Sequence, residues 1–208
     1  MSNKTLEIGA FGWLHPGWDD SYYPEDLPED WRLDFYSHHF NVLLMPCDDW
    51  KQVSQDDVEQ WLSDVKSDFV FFLQLSRVPD QATMQQLQMI KGVLAERLTG
   101  LVWQGDSDVL QSGDIAVLQG IAAVLIDNDN SVAAQQMQCC WRDGREVQST
   151  ILGFISAEQA TDTRALRKLI EAFLQQGEDD SDLYLIFEGQ PPLIKAMEDT
   201  RIIEQMLV

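Results

Sequence analysis

Basic residues are scarce in this 208-residue chain: 14 Lys and Arg stand against 35 Asp and Glu, for a formal charge of −21. A surface of that sign repels phosphate backbones and anionic headgroups, which argues against nucleic-acid binding and against attachment to anionic membranes. Cysteine is also sparse, with only Cys47 and the adjacent pair Cys139 and Cys140. Such a set is no disulfide framework, and a reducing cytoplasm is the expected setting. The pair also lacks the C-x-x-C spacing and nearby histidine of zinc or thioredoxin-type sites. No apolar run approaches the ~20 residues needed to span a bilayer. Met1–Ala10 lacks a signal peptide's basic start and apolar centre. A phosphate loop is missing too: Gly9-Ala10-Phe11-Gly12 is not G-x-G-x-x-G, and no Gly-Lys-Ser/Thr occurs. No cofactor is therefore expected.

What is present is apolar and periodic. Hydrophobic residues make up 45% of the chain and aromatics 10%, enough for a continuous core in one domain over residues 1–208. Strand-like runs occupy Leu6–Phe11, Phe40–Met45, Phe69–Leu75, Leu101–Gln104, Ala122–Ile126, Ile151–Ile155 and Leu183–Phe187, with a weaker eighth at Met137–Trp141. Most are continuous rather than alternating, the pattern of strands covered on both faces. Helical spacing separates them. Val58, Trp61, Leu62 and Val65 follow Ser54 as N-cap; Met84, Leu87, Ile90, Val93 and Leu94 mark a second helix. Leu166, Leu169, Ile170 and Phe173 mark a third, and a last helix follows Pro191 and Pro192.

Buried strands alternating with helices imply a parallel sheet, either open and doubly wound or closed into a barrel. A typical (β/α)8 barrel has about 250 residues and the lower end is near 200. The chain fits a compact TIM-type barrel if one or two units are reduced. The reduced stretch lies between Ile126 and Ile151, where no long helical pattern appears and Asp143-Gly144 is a turn signal. A local hairpin near residues 137–151 is expected there.

The opening of the chain bears on this choice. Ile8-Gly9-Ala10-Phe11-Gly12-Trp13, His15-Pro16-Gly17-Trp18 and Tyr22-Tyr23-Pro24-Glu25-Asp26-Leu27-Pro28 occur in order, followed by Phe35-Tyr36-Ser37-His38-His39-Phe40-Asn41. This succession resembles the YecE-like proteins, domain of unknown function 72. Past Asn41 the likeness continues at the strand level, in Asp68–Arg77, Leu101–Gln104 and Leu183–Phe187. The family is similar to TIM barrels, so the resemblance implies the closed barrel. It also implies losses. Leu44 stands where the family usually has Glu, Gln74 where it has Lys, Phe154-Ile155-Ser156 where it has Arg and His, and Glu188 where it has Asn. The chain therefore reads as a divergent and shortened member without most groups that could hold an anion or move a proton.

In TIM barrels the working residues lie just past the C-terminal ends of the strands. Those positions hold His15, then Asp48 and Asp49, Gln74 and Arg77, Gln104 with Asp106 and Asp108, Asp127 with Asp129, and Glu188. Two main readings follow. In the first, the chain is a non-catalytic or reduced-activity barrel that binds a small molecule or a protein through Trp13, His15, Trp18, Tyr23, Gln74, Arg77 and Gln104. The aromatic group there is either a stacking wall or a plug closing the core. In the second, Asp127, Glu188, Asp106 and Asp48 converge on Mg²⁺ or Mn²⁺ for metal-dependent hydrolysis. Acids at these positions also serve as helix caps. A third reading puts Arg142–Arg145 on an exposed ribbon as a contact in a complex.

Overall fold

The computed structural model describes residues 5–19, 21–106, 109–127, 137–143, 147, 150–178 and 181–207. Eight strands form one sheet: β1 (Thr5–Phe11), β2 (Val42–Met45), β3 (Val70–Leu75), β4 (Leu98–Trp103), β5 (Ala123–Ile126), β6 (Gln138–Cys139), β7 (Leu152–Ile155) and β8 (Asp182–Phe187). Their order is β6-β5-β4-β3-β2-β1-β8-β7, and all neighbours run parallel. The two ends of that row meet. The Trp141 N–H donates to Leu152 O at 2.8 Å, and the Phe154 N–H donates to Trp141 O at 3.0 Å. Trp141 and Gly153 thus form a parallel bridge that closes the sheet into a TIM-type barrel.

The continuous hydrophobic runs have a direct physical cause. Val42 and Leu44 of β2 point inward with Phe72, Val102, Leu125, Cys140, Phe154 and Ile186. Leu43 and Met45 point outward, against the helices. Successive strand residues face opposite sides, so a strand buried on both faces is apolar throughout. At Gly9 a Cβ would lie 1.9 Å from Val42 O, so only glycine lets β1 and β2 pair there.

The helices are α1 (Arg32–His39), α2 (Cys47–Trp50), α3 (Gln55–Asp64), α4 (Gln81–Leu94), α5 (Ser112–Gln119), α6 (Thr163–Leu174) and α7 (Ile194–Leu207). Ser54 caps α3 through a reciprocal box with Asp57, and Asp80 and Asp162 cap α4 and α6. Leu166, Leu169, Ile170 and Phe173 of α6 are all buried, as their spacing predicts. No helix among the described residues lies between β5 and β7, which is the reduced stretch. None is long and apolar enough to cross a membrane.

The hairpin expected near residues 137–151 is not formed by the described residues. Cys140 N donates to Ile126 O on one side, and Trp141 pairs in parallel with β7 on the other. With both edges committed, this backbone completes the barrel instead of folding back on itself. Gly144, the second residue of the turn signal, lies outside the described residues.

Candidate functional site

The inward alternation of the strands extends past their C-terminal ends. Two residues beyond inward-facing Phe72, Val102, Leu125, Cys140 and Ile186 stand Gln74, Gln104, Asp127, Arg142 and Glu188. All five meet at the barrel mouth in one hydrogen-bonded chain. Gln74 Oε1 accepts from the Cys47 N–H at 3.0 Å, and Gln74 Nε2 donates to Gln104 Oε1 at 2.8 Å. Gln104 Nε2 donates to Asp127 Oδ2 at 3.1 Å. Arg142 then bridges two acids. Its Nε and Nη2 donate to Asp127 Oδ1 and Oδ2 at 2.7 and 2.5 Å, while its Nη1 and Nη2 donate to Glu188 Oε2 and Oε1 at 2.8 and 2.9 Å.

These are two bidentate guanidinium–carboxylate pairs, the strongest geometry available to such groups. The guanidinium also lies over the Phe154 ring, 4.4 Å from its centroid. Burial opposes the arginine's charge, but the hydrogen bonds and charges of Asp127 and Glu188 outweigh it and raise its pKa above the ordinary value. The side chain of Asp127 is only 7% exposed, whereas Arg142 is 29% and Glu188 27% exposed. The solvent edge of the network is therefore Arg142–Glu188.

Beside it the mouth is apolar. Register pairs Ala10 with Phe187, so Phe11 stands next to Glu188. Phe11, His15, Pro16, Gly17, Pro46 and the segment 189–191 line a cleft of about 640 Å³. His15 is fixed by donating from Nε2 to Phe11 O at 2.9 Å, and its ring meets Trp18 edge-on at 4.6 Å. Burial lowers its pKa, a shift only partly countered by hydrogen bonds to the Phe11 and Gly12 backbone. The imidazole is accordingly neutral near pH 7. Gly12, at φ +80°, turns the chain out of β1 into this loop.

The aromatic group is a plug and not a stacking wall. Trp18 and Tyr23 are each 1% exposed and Trp13 is 6% exposed. Their polar atoms go to the backbone: Trp18 Nε1 donates to Pro192 O at 2.9 Å, and Tyr23 Oη donates to Trp13 O at 2.7 Å. Tyr36 Oη accepts from the Ala10 N–H at 2.7 Å and donates to Val42 O at 2.9 Å. Of the candidate ligand contacts, Trp18 and Tyr23 pack in the outer core, and Trp13 packs there too while also lining a cleft with Leu14, Leu33 and Trp61.

The remaining candidates separate. Arg77 is exposed past β3, where its charge acts on Asp80. The Asp48 side chain is 93% exposed and pairs with Lys51 at 3.1 Å. Asp106 is exposed, and Asp108 and Asp129 lie outside the described residues. Only Asp127 and Glu188 of the four metal candidates converge, and they converge on a guanidinium. Among the described residues no group of three or more His, Cys, Asp and Glu side chains is placed to hold a metal. Arg142 is likewise not on an exposed ribbon; Arg145 lies outside the described residues. The sequence offers Arg142 only as a surface contact, although its inward face follows by counting two residues on from Cys140.

Residues 7–105 match the family described as protein of unknown function DUF72. No curated protein matches the chain. A DUF72 family protein from Thermotoga maritima is 14% identical with a TM-score of 0.63, over 98% of this chain and 99% of that one. A DUF72 family protein from Enterococcus faecalis is 13% identical with a TM-score of 0.65, over 100% and 99%. D-psicose 3-epimerase is 8% identical with a TM-score of 0.55, over 96% and 97%; that likeness shows the fold alone. The family match thus covers 99 of the 208 residues, all in the N-terminal part, and the whole barrel is similar in fold to those of DUF72 family proteins.

Proposed function

We propose that this barrel is a cytoplasmic binding protein for a small molecule and has little or no strand-end chemistry of its own. One observation carries the reading: Arg142 engages both oxygens of Asp127 and both of Glu188. A general acid or base needs a proton in reach and a pKa near the working pH, and a hydrolytic metal needs open carboxylate oxygens. The carboxylate oxygens of both acids are instead engaged by the arginine, leaving a net charge of −1, and His15 is tied to the Phe11 carbonyl. Binding remains open to the site. The cleft at Phe11, His15, Pro46 and Pro191 falls in the usual size range for small ligands.

The test is thermal unfolding of chelator-stripped protein with added MgCl₂ or MnCl₂ at fixed ionic strength. Ionic strength must be held because salt alone screens and stabilises a chain of charge −21. A cation bound only by the folded state at 100 times its Kd would add about 2.7 kcal/mol. The expected result is no change beyond the ionic-strength control. Saturable stabilisation lost in both Asp127→Asn and Glu188→Gln would replace this reading with a metal enzyme.

A further inference from the structure

Arg142 is held in a manner that separates a fixed partner from an exchangeable one. Its position is set from below by the Phe154 ring and from one side by Asp127, whose side chain is almost fully buried. Its outer edge, Nη1 and Nη2, points at Glu188, which is partly exposed. Glu188 directly follows β8 and is followed at once by the Gly189–Pro191 segment that walls the cleft. The outer edge of Arg142 is thus a preorganised two-donor fork occupied by the chain's own carboxylate. On the other side of Glu188 stands Phe11, whose ring belongs to the cleft.

We infer that the cleft takes a small ring compound bearing one carboxylate, whose oxygens replace those of Glu188 on Arg142 while the ring lies against Phe11 and the prolines. The inference rests on the small-molecule reading above and adds the ligand's chemical class. Arg142 with Asp127 is neutral in sum, and the fork already accepts one further carboxylate in this place. A ligand's carboxylate adds one negative charge and turns the partly exposed Glu188 out to solvent, so the resident acid competes with the ligand. The lining of the cleft carries no ionised side chain, since His15 is neutral near pH 7. A ring there meets carbon surface, and among the described residues the fork for its acid group is at the Glu188 border. Glu188 is in this sense a resident stand-in for the ligand's acid.

Isothermal titration of the full chain with benzoate and with its uncharged analogue benzamide tests this, at fixed ionic strength and pH 7.5. Glu188→Ala removes the resident carboxylate, and Glu188→Ser serves should the alanine variant fail to fold. Benzoate is expected to bind the Glu188 variant at least about tenfold more tightly than the wild type, the effect of one or two charge-assisted hydrogen bonds. Benzamide is expected to gain less than about twofold, and adding Arg142→Met is expected to abolish the benzoate gain. Equal gains for benzoate and benzamide would overturn the anionic class while leaving the binding reading in place. A benzoate gain that survives Arg142→Met would overturn the assignment to Arg142. Absence of any benzoate heat with both Glu188 variants folded would overturn the inference, whereas the binding reading itself answers to the cation titration.

Discussion

The plug around Trp18 and the network around Arg142 both lie near the C-terminal ends of strands, and both collect residue types common in active sites. They differ in where their polar atoms go. In the plug, Trp18, Tyr23 and Tyr36 are hydrogen-bonded to backbone groups of Pro192, Trp13, Val42 and Ala10. Those rings are buried and their partners are main-chain atoms, so the plug is part of the fold. At the mouth, Gln74, Gln104, Asp127, Arg142 and Glu188 bond to one another through side-chain tips. One tip can be swapped for a ligand group while the strands stay still. Aromatic density alone is thus a poor guide to a ligand site; the better guide is whether the polar partners are backbone or side chain.

The largest effect should come from the plug. Trp18→Ala removes a fully buried indole and is expected to cost about 4 kcal/mol in urea denaturation. A loss below about 1 kcal/mol would show that the ring is dispensable and return it to the list of ligand contacts. Arg142→Met should follow, at about 2–3 kcal/mol, because it leaves Asp127 and Glu188 facing each other without their cation; partial exposure keeps the figure at the low end. Adding Asp127→Asn and Glu188→Gln to that variant should recover part of the loss, which no plug variant would do. Tyr36→Phe is a subtler change: it deprives the Ala10 N–H and Val42 O of a buried partner, for about 1–2 kcal/mol.

The smallest effect is one of pH. Burial depresses the His15 pKa in the folded state, so between that value and the unfolded value of about 6.5 the unfolded chain binds more protons. Its contribution is complete above about pH 6.5 and declines as pH falls below it, with a slope no steeper than about 1.4 kcal/mol per pH unit. Stability measured from pH 7.5 down to 5 should fall more in the wild type than in His15→Gln. Parallel curves would mean that His15 is not buried as described.

Much of the fold was legible because barrel strands carry a redundant signal. Most of the seven main runs are apolar on both faces, and the structure places a strand on every one, with ends shifted by a few residues at β2 and β4. The Ser54 cap rests on local chemistry that needs no tertiary information, and the structure adds Asp80 and Asp162 as caps of the same kind. The eighth strand was harder. Its regular part is two residues long, and the rest of its pairing is a single bridge at Trp141. An Asp-Gly turn signal nearby favours a hairpin, and only the long-range pairing of Trp141 with Gly153 overrules it.

The site was half legible for a related reason. Asp127 and Glu188 stand out because each directly ends a strong strand, and the structure does bring them together. What joins them could not be read from either residue. Arg142 looks like a surface residue beside Asp143 until Cys140 is known to face inward. Two acids converging on one point are compatible with a divalent cation or with a guanidinium, and sequence order alone does not say which. The cleft was less visible still, since Phe11 ends β1 while Pro46 and Pro191 come from two separate loops, and none carries a chemical signature.

The most direct measurement of the central account, that Arg142 and Glu188 satisfy one another at the mouth, is a double-mutant cycle in urea. It uses Arg142→Met, Glu188→Gln and both together, at fixed pH and ionic strength. Because the two side chains share two hydrogen bonds, the losses should not add: the double variant should retain about 1–2 kcal/mol more stability than the sum of the single losses predicts. Losses that add within about 0.5 kcal/mol would show that the two groups do not interact in solution, and would free Glu188 and Asp127 for another partner.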